Sequence, residues 1–185
     1  MYKRLPDSLT IKTSKNIKII DNCIPIKQQD LIINELLKTK FFPWFYCDDT
    51  TQRDKESSQH RPALSHYFVI NKKHSKYLKL ASSIVIPFTN NPIVQSRAFL
   101  QFPLNLKLIG SEYDTPHTDL SVPHTVYLYY VIDADGDTLI FENSKIIKRV
   151  SPKKGRLLIF DGGMWHTAQQ PKKGIRCVIN SDVIK

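Results

Sequence analysis

Apolar and polar residues follow two different rhythms along this chain. Between Pro25 and Leu37, Ile26, Leu31, Ile32, Ile33, Leu36 and Leu37 recur at helical spacing with Asp30 and Glu35 between them, which predicts an amphipathic helix. A second helix is predicted over about Ser75 to Pro87. The remainder reads as β. Residues 8–20 alternate weakly, and Phe99–Ile109, Thr125–Ile132, Thr138–Phe141, Lys145–Val150, Arg156–Phe160 and Ile175–Ile179 are short apolar or alternating runs. Turn signals punctuate them at Asp135-Gly136 (read as a hairpin turn), Pro152 to Gly155, Asp161 to Gly163 and Pro171 to Gly174. Many short strands at this spacing predict a mostly β protein with N-terminal helices, built as a sandwich, barrel or jelly roll.

Two segments fit neither rhythm. Phe41, Phe42, Trp44, Phe45 and Tyr46 surround Pro43 and read as a non-helical packing segment rather than a binding platform. Asp48 to Pro62 is a long polar stretch, and a loop of that length is expected to be mobile and to help close a site.

Composition narrows the class. At 185 residues, with 41% hydrophobic and 24% charged residues, the chain has the size and balance of one ordinary globular domain. The longest apolar runs fall far short of the ~20 residues of a membrane-spanning helix. The segment Met1–Ser14 lacks an apolar signal core, and the reading is cytoplasmic with no membrane partner. Cys23, Cys47 and Cys177 are scattered, as expected of free thiols in a reducing compartment. The net charge of +10 admits an anionic partner such as nucleic acid, but the basic residues are dispersed, which suits a solvated lysine-rich surface better.

The chemistry concentrates in one constellation. Of six histidines only His117 begins an H-x-D, His117-Thr118-Asp119. In a strand, residues i and i+2 face the same way, so this spacing would aim an imidazole and a carboxylate at one point. With a distant histidine, His166, they make the two-histidine, one-carboxylate set of non-haem Fe(II) oxygenases, which leaves coordination positions open. Arg176 follows ten residues later between Ile175 and Cys177. A guanidinium in such apolar company needs a carboxylate partner. Asp133 to Asp137 is not an EF-hand, because the first ligand position would be Val131. His124, following Pro123, reads as a loop residue.

Read together, His117-Thr-Asp119, Tyr127-Leu-Tyr-Tyr-Val131, Asp135-Gly-Asp-Thr138, Val150-Ser-Pro-Lys-Lys-Gly155, His166 and Gly174-Ile-Arg176 through Asn180 resemble the prolyl-4-hydroxylase-like branch of the 2-oxoglutarate and Fe(II) dioxygenases, especially its small phage-encoded members. The resemblance covers about residues 98–182. It implies a double-stranded β-helix, with residues 98–185 as the catalytic core and residues 1–97 as its support within one domain. It implies Fe(II) on His117, Asp119 and His166, and 2-oxoglutarate with its distal carboxylate on Arg176. Tyr130 is implied as a second donor to that carboxylate, and Asn105 as a candidate for the other end of the co-substrate. It further implies O2 as oxidant, ascorbate as an accessory reductant, release of succinate and CO2, and a peptide or protein substrate hydroxylated at a C–H bond, for which a prolyl residue is the leading candidate. Asp182 stands where many prolyl hydroxylases carry tryptophan and where the dealkylating branch carries arginine. The alternatives are a nucleic-acid demethylase of the same superfamily and a jelly-roll binding or virion protein without catalysis.

Overall fold

The computed structural model of the protein describes residues 11–14, 17–48, 50, 61–105 and 112–185. The strands are β1 (Ile11–Ser14), β2 (Ile17–Ile20), β3 (Phe45–Cys47), β4 (Ala63–Ile70), β5 (Lys73–His74), β6 (Ile93–Gln101), β7 (His124–Tyr130), β8 (Thr138–Glu142), β9 (Lys145–Val150), β10 (Leu157–Asp161), β11 (Trp165–Ala168) and β12 (Arg176–Ile184). Two helices, α1 (Ile26–Ile33) and α2 (Leu78–Val85), interrupt them, and α1 runs on into a π-helical turn at Asn34–Lys38. Trp44 closes that turn by donating its indole N–H to the Leu36 carbonyl at 3.0 Å, which satisfies one of the acceptors a helix end leaves open.

Nine strands form one antiparallel sheet in the order β1-β2-β10-β7-β12-β6-β4-β3, with β5 attached to β4. A second sheet, β11-β8-β9, has three strands. The two-residue period of a strand divides the large sheet into two faces. Ala98 and Leu100 of β6, Tyr127 and Tyr129 of β7, and Cys177 and Ile179 of β12 point to the helices, where Ile32, Leu36, Leu80, Ala81, Ile84 and Val85 complete a core. Val126, Leu128 and Tyr130 of β7 and Val178 of β12 point the other way, toward Ile140 and Val150 of the small sheet. This is the jelly-roll arrangement, and a cavity lies between its sheets.

Several expected boundaries shift. β6 starts six residues earlier than the predicted strand and ends at Gln101, because its pairing with β12 and β4 decides its extent. The boundary expected between residues 97 and 98 therefore falls inside a strand. β12 runs to Ile184, well past the predicted Ile179. Asp135-Gly136 is not a hairpin turn: β7 and β8 belong to different sheets, and the segment crosses between them. Asp135 instead accepts the backbone N–H groups of Lys172 and Lys173, each at 3.0 Å. The expected turns ending at Gly155 and Gly174 do form, with φ of +75° and +68°, which only glycine adopts without strain. Phe42 packs edge-on to Trp44 and close to His66, whereas Phe45 and Tyr46 on edge strand β3 are exposed, so the aromatic segment is only partly core. Of the loop Asp48–Pro62, residues 49 and 51–60 lie outside the described residues, and so does the mobility expected of it.

Candidate metal centre and co-substrate cavity

The H-x-D does not lie in a regular strand. His117 forms an isolated bridge with His166, each backbone N–H donating to the other's carbonyl at 2.9 Å, while Thr118 to Asp119 turns away. The pairing that unites these residues is therefore the one between segment 112–123 and β11, not the i, i+2 geometry of a strand. The result has the expected convergence. His117, Asp119 and His166 bring their donor atoms within 4.8 Å of one another. Nε2 of His166 is 3.2 Å from Asp119 Oδ2, and Nε2 of His117 is 3.8 Å from Oδ1.

Each imidazole is oriented by its own backbone. His117 Nδ1 lies 3.0 Å from the Thr115 carbonyl and His166 Nδ1 lies 3.0 Å from that of Met164. A carbonyl only accepts, so a ring proton sits on Nδ1 of each, and Nε2 is the nitrogen left to coordinate a metal. Burial and the neighbouring His166 push the His117 imidazole down to about 4, which keeps it neutral. Burial works against the charge of Asp119, but the contact with His166 and the guanidinium of Arg97 hold its carboxyl well below the usual carboxylate range. Arg97 Nη2 donates to Asp119 Oδ1 at 3.0 Å, and Asn180 Nδ2 donates to Oδ2 at 3.1 Å. Two imidazoles with Nε2 turned inward and an ionised carboxylate form a donor set that fits a divalent transition metal.

A cavity runs from these residues between the sheets. Arg176 lines it and is buried to 3% exposure. Its Nε donates to the Gly136 carbonyl at 2.9 Å, Nη1 to Gln101 Oε1 at 2.6 Å and Nη2 to Thr138 Oγ1 at 2.9 Å. Gly136 must be glycine, since a Cβ there would stand 2.5 Å from the Gln169 carbonyl and 3.2 Å from Arg176 Cδ. All three hydrogen-bond partners of Arg176 are neutral, and no ion pair to it occurs among the described residues. Burial pulls the guanidinium below its ordinary pKa.

Two implied site residues fall elsewhere. Tyr130 is fully buried behind the cavity wall, where its hydroxyl donates to Thr138 Oγ1 at 2.7 Å. Thr138 lines the cavity in its place and accepts from both Tyr130 and Arg176. Asn105 lies beyond the end of β6, exposed and outside the cavity lining. His124 is not a loop residue. It opens β7, is 1% exposed, and fits only because Gly162 has no side chain: a Cβ there would be 2.1 Å from its Nε2. Its Nε2 lies 3.9 Å from Asp182, which burial pushes well above the carboxylate range and which is hydrogen-bonded by Gln95 at 3.1 Å.

Other residues of the site have no local signature in the sequence. Asp114 is 1% exposed, forms an ion pair with Arg61 at 3.1 Å, and accepts hydrogen bonds from Thr50 at 3.1 Å, Gln101 at 3.3 Å and Gln170 at 3.0 Å. Because Gln101 spends its amino group on Asp114, its carbonyl oxygen is turned to Arg176. The chain Arg61–Asp114–Gln101–Arg176 thus sets the polarity of the cavity floor.

No family model matches the sequence, and no curated protein matches it either. Solved structures do. A viral collagen prolyl hydroxylase from Paramecium bursaria Chlorella virus-1, in its 2-oxoglutarate complex, superposes with a TM-score of 0.61 at 13% identity, covering 92% of this chain and 96% of that one. A Trichoplax adhaerens prolyl hydroxylase bound to a hypoxia-inducible-factor peptide fragment gives 0.66 at 14% identity, covering 92% and 84%. A Pseudomonas putida prolyl-4-hydroxylase gives 0.63 at 12% identity, covering 92% and 93%. At these identities the likeness establishes the fold: the chain has the architecture of the 2-oxoglutarate and Fe(II) oxygenases, prolyl hydroxylases among them.

Proposed function

We propose that this chain is an Fe(II)- and 2-oxoglutarate-dependent oxygenase that hydroxylates a C–H bond, with proline in an extended peptide as its substrate. One observation carries the reading. Arg176 is a buried guanidinium bonded only to neutral groups, and it opens onto the same cavity as His117, Asp119 and His166. A buried charge needs a counter-charge, and a carboxylate-bearing ligand that spans the cavity supplies one.

His117, Asp119 and His166 would hold the metal. Bound iron together with the keto acid supplies the oxidising power, yielding succinate and CO2 and delivering one oxygen atom of O2 to the substrate. Arg176 binds the distal carboxylate through its two uncommitted N–H groups, one on each Nη, in the parallel geometry that suits a guanidinium. Thr138 accepts from Tyr130 and Arg176, so its own proton is available to the same carboxylate. Phe99, Leu128 and Val178 line the wall between the two ends and exclude water from the methylene chain. Asn180 and Arg97 hold the Asp119 carboxylate in place.

The substrate proposal rests on a surface groove lined by Tyr113, Thr115, Pro116, Phe141 and Trp165. Trp165 is 57% exposed. Pro116 and Trp165 directly precede His117 and His166, so the groove lies along the same two segments that carry the histidines, with Trp165 on the outer face of β11 and His166 on the inner one. Aromatic faces flanked by hydrogen-bonding groups suit a pre-extended, proline-rich segment, which loses little entropy on docking. The peptide held by the Trichoplax hydroxylase is in keeping with this class. The net charge of +10 favours a second reading, oxidation of a nucleic acid. Turnover of 2-oxoglutarate to succinate, measured with Fe(II) and ascorbate, tests both. Proline-rich peptides are expected to stimulate it, and His166→Ala is expected to abolish it. Stimulation by single-stranded DNA and by no peptide would transfer the substrate to the nucleic-acid reading. Absence of succinate from the metal-loaded protein under all conditions would defeat both.

A further inference from the structure

The cavity floor has a bipolar plan set by strand register. Arg176 pairs with Gln101, Val178 with Phe99, and Asn180 with Arg97 across β12 and β6. All six side chains line the cavity. One end thus carries Arg176 and Gln101, the middle is hydrocarbon from Phe99 and Val178, and the far end carries Arg97 and Asn180 beside Asp119. A matching ligand has a short apolar middle and an anion at each end.

Arg97 has a donor to spare at that far end. Nη2 is committed to Asp119, but Nε–H is buried and has no acceptor. Its guanidinium lies 4.7 Å from the centroid of the Phe99 ring, which fixes its plane. Buried N–H groups without a partner are rare in folded proteins and costly. Asp119 is already occupied, by Arg97 and Asn180 on its two oxygens and by the two histidines that face it. A ligand held in the cavity next to Asp119 can bring the missing acceptor.

We propose that Arg97 is a second carboxylate-binding residue, which takes through Nε–H the carboxylate of the co-substrate lying at the metal end. The cavity then selects a dianion by a cation at either end, Arg176 for one carboxylate and Arg97 for the other. This inference rests on the 2-oxoglutarate reading above. Arg97 is isolated in Gln95-Ser96-Arg97-Ala98-Phe99, and only the register of β6 on β12 brings it to the metal end.

The test is calorimetric binding to the zinc-loaded protein, which cannot turn over. Two ligands are compared: 2-oxoglutarate, and 4-oxopentanoate, which keeps the ketone and the far carboxylate but has a methyl group in place of the near one. Arg97→Gln is expected to weaken 2-oxoglutarate by about 10- to 100-fold, the range for a hydrogen bond to a charged group. It is expected to leave 4-oxopentanoate within about twofold, about 0.4 kcal/mol. Arg97→Lys should be intermediate. Arg176→Ala should weaken both ligands. Equal weakening of both ligands by Arg97→Gln, as would follow if Arg97 only supported Asp119 and the metal, overturns the proposal. So does an unchanged affinity for 2-oxoglutarate. In either case, loss of both ligands in Arg176→Ala keeps the co-substrate reading intact, whereas an indifferent Arg176→Ala removes that reading itself.

Discussion

Replacing Asp114 by alanine should be among the most damaging single changes in this protein that spare the metal ligands. The carboxylate is 1% exposed and faces Arg61, which is 0% exposed, at 3.1 Å. Burial pushes the Asp114 carboxyl upward and Arg61 pulls it back, so desolvation offsets much of the attraction. Such a pair contributes little compared with an apolar replacement, yet removing one partner leaves the other charge buried, at a cost of about 3–5 kcal/mol. Against a total stability of about 5–15 kcal/mol for a domain, that is a large fraction. Asp114→Asn keeps the volume and should cost roughly 2–3 kcal/mol, the value of hydrogen bonds to a charged group. It also lets the Gln101 amide turn its amino group toward Arg176, so affinity for 2-oxoglutarate should fall as well. Urea denaturation monitored by tryptophan fluorescence measures the stability, provided the slope with denaturant stays constant. The double change Arg61→Met with Asp114→Leu should be more stable than Asp114→Ala, because it removes both charges. An Asp114→Ala protein within about 0.5 kcal/mol of wild type, the scale of an ordinary surface change, would refute the reasoning. A double variant no better than the single one would show that the charge pair is not the cause.

Three further outcomes are expected. Arg176→Ala should weaken 2-oxoglutarate binding by roughly 2–5 kcal/mol, with lysine restoring part, as calorimetry would measure. The imidazole of His117 titrates at about 4 in the fold, against ~6.5 in the unfolded chain. Only the unfolded state takes up this proton between those values, so metal-free protein should lose up to roughly 3 kcal/mol of stability as pH falls from ~6.5 to about 4. His117→Gln should flatten that part of the stability profile, and an unchanged slope would count against it. Gly162→Ala would place a Cβ 2.1 Å from His124 Nε2 and should destabilise by about 1–3 kcal/mol through overpacking, visible as a lower Tm.

Local pattern was enough for part of this molecule. The apolar runs Thr125–Ile132 and Thr138–Phe141 and the alternating Lys145–Val150 placed three strands within a residue or two, because the first two are buried on both faces and the third on one, which imposes a two-residue period. Gly155 and Gly174 marked their turns for an equally local reason, a positive φ. His117, Asp119, His166 and Arg176 stood out by residue type and spacing, and the fold places all four on one cavity. The bridge that brings His117 to His166 was not, since it is a pairing across 49 positions rather than a strand geometry. β6 and β12 took their ends from each other, and residues 97 and 180 face one another only through that register. Tyr130 was read as a carboxylate donor, but the approach of β8 puts Thr138 in front of it. Asp114 gave no signal at all, because a buried carboxylate is explained by partners distant in the chain: Arg61 on one side and Gln170 on the other. Periodicity reports which face of an element is buried. Which side chains then meet is decided by register and sheet-on-sheet packing, the contacts that the unfolded chain does not contain.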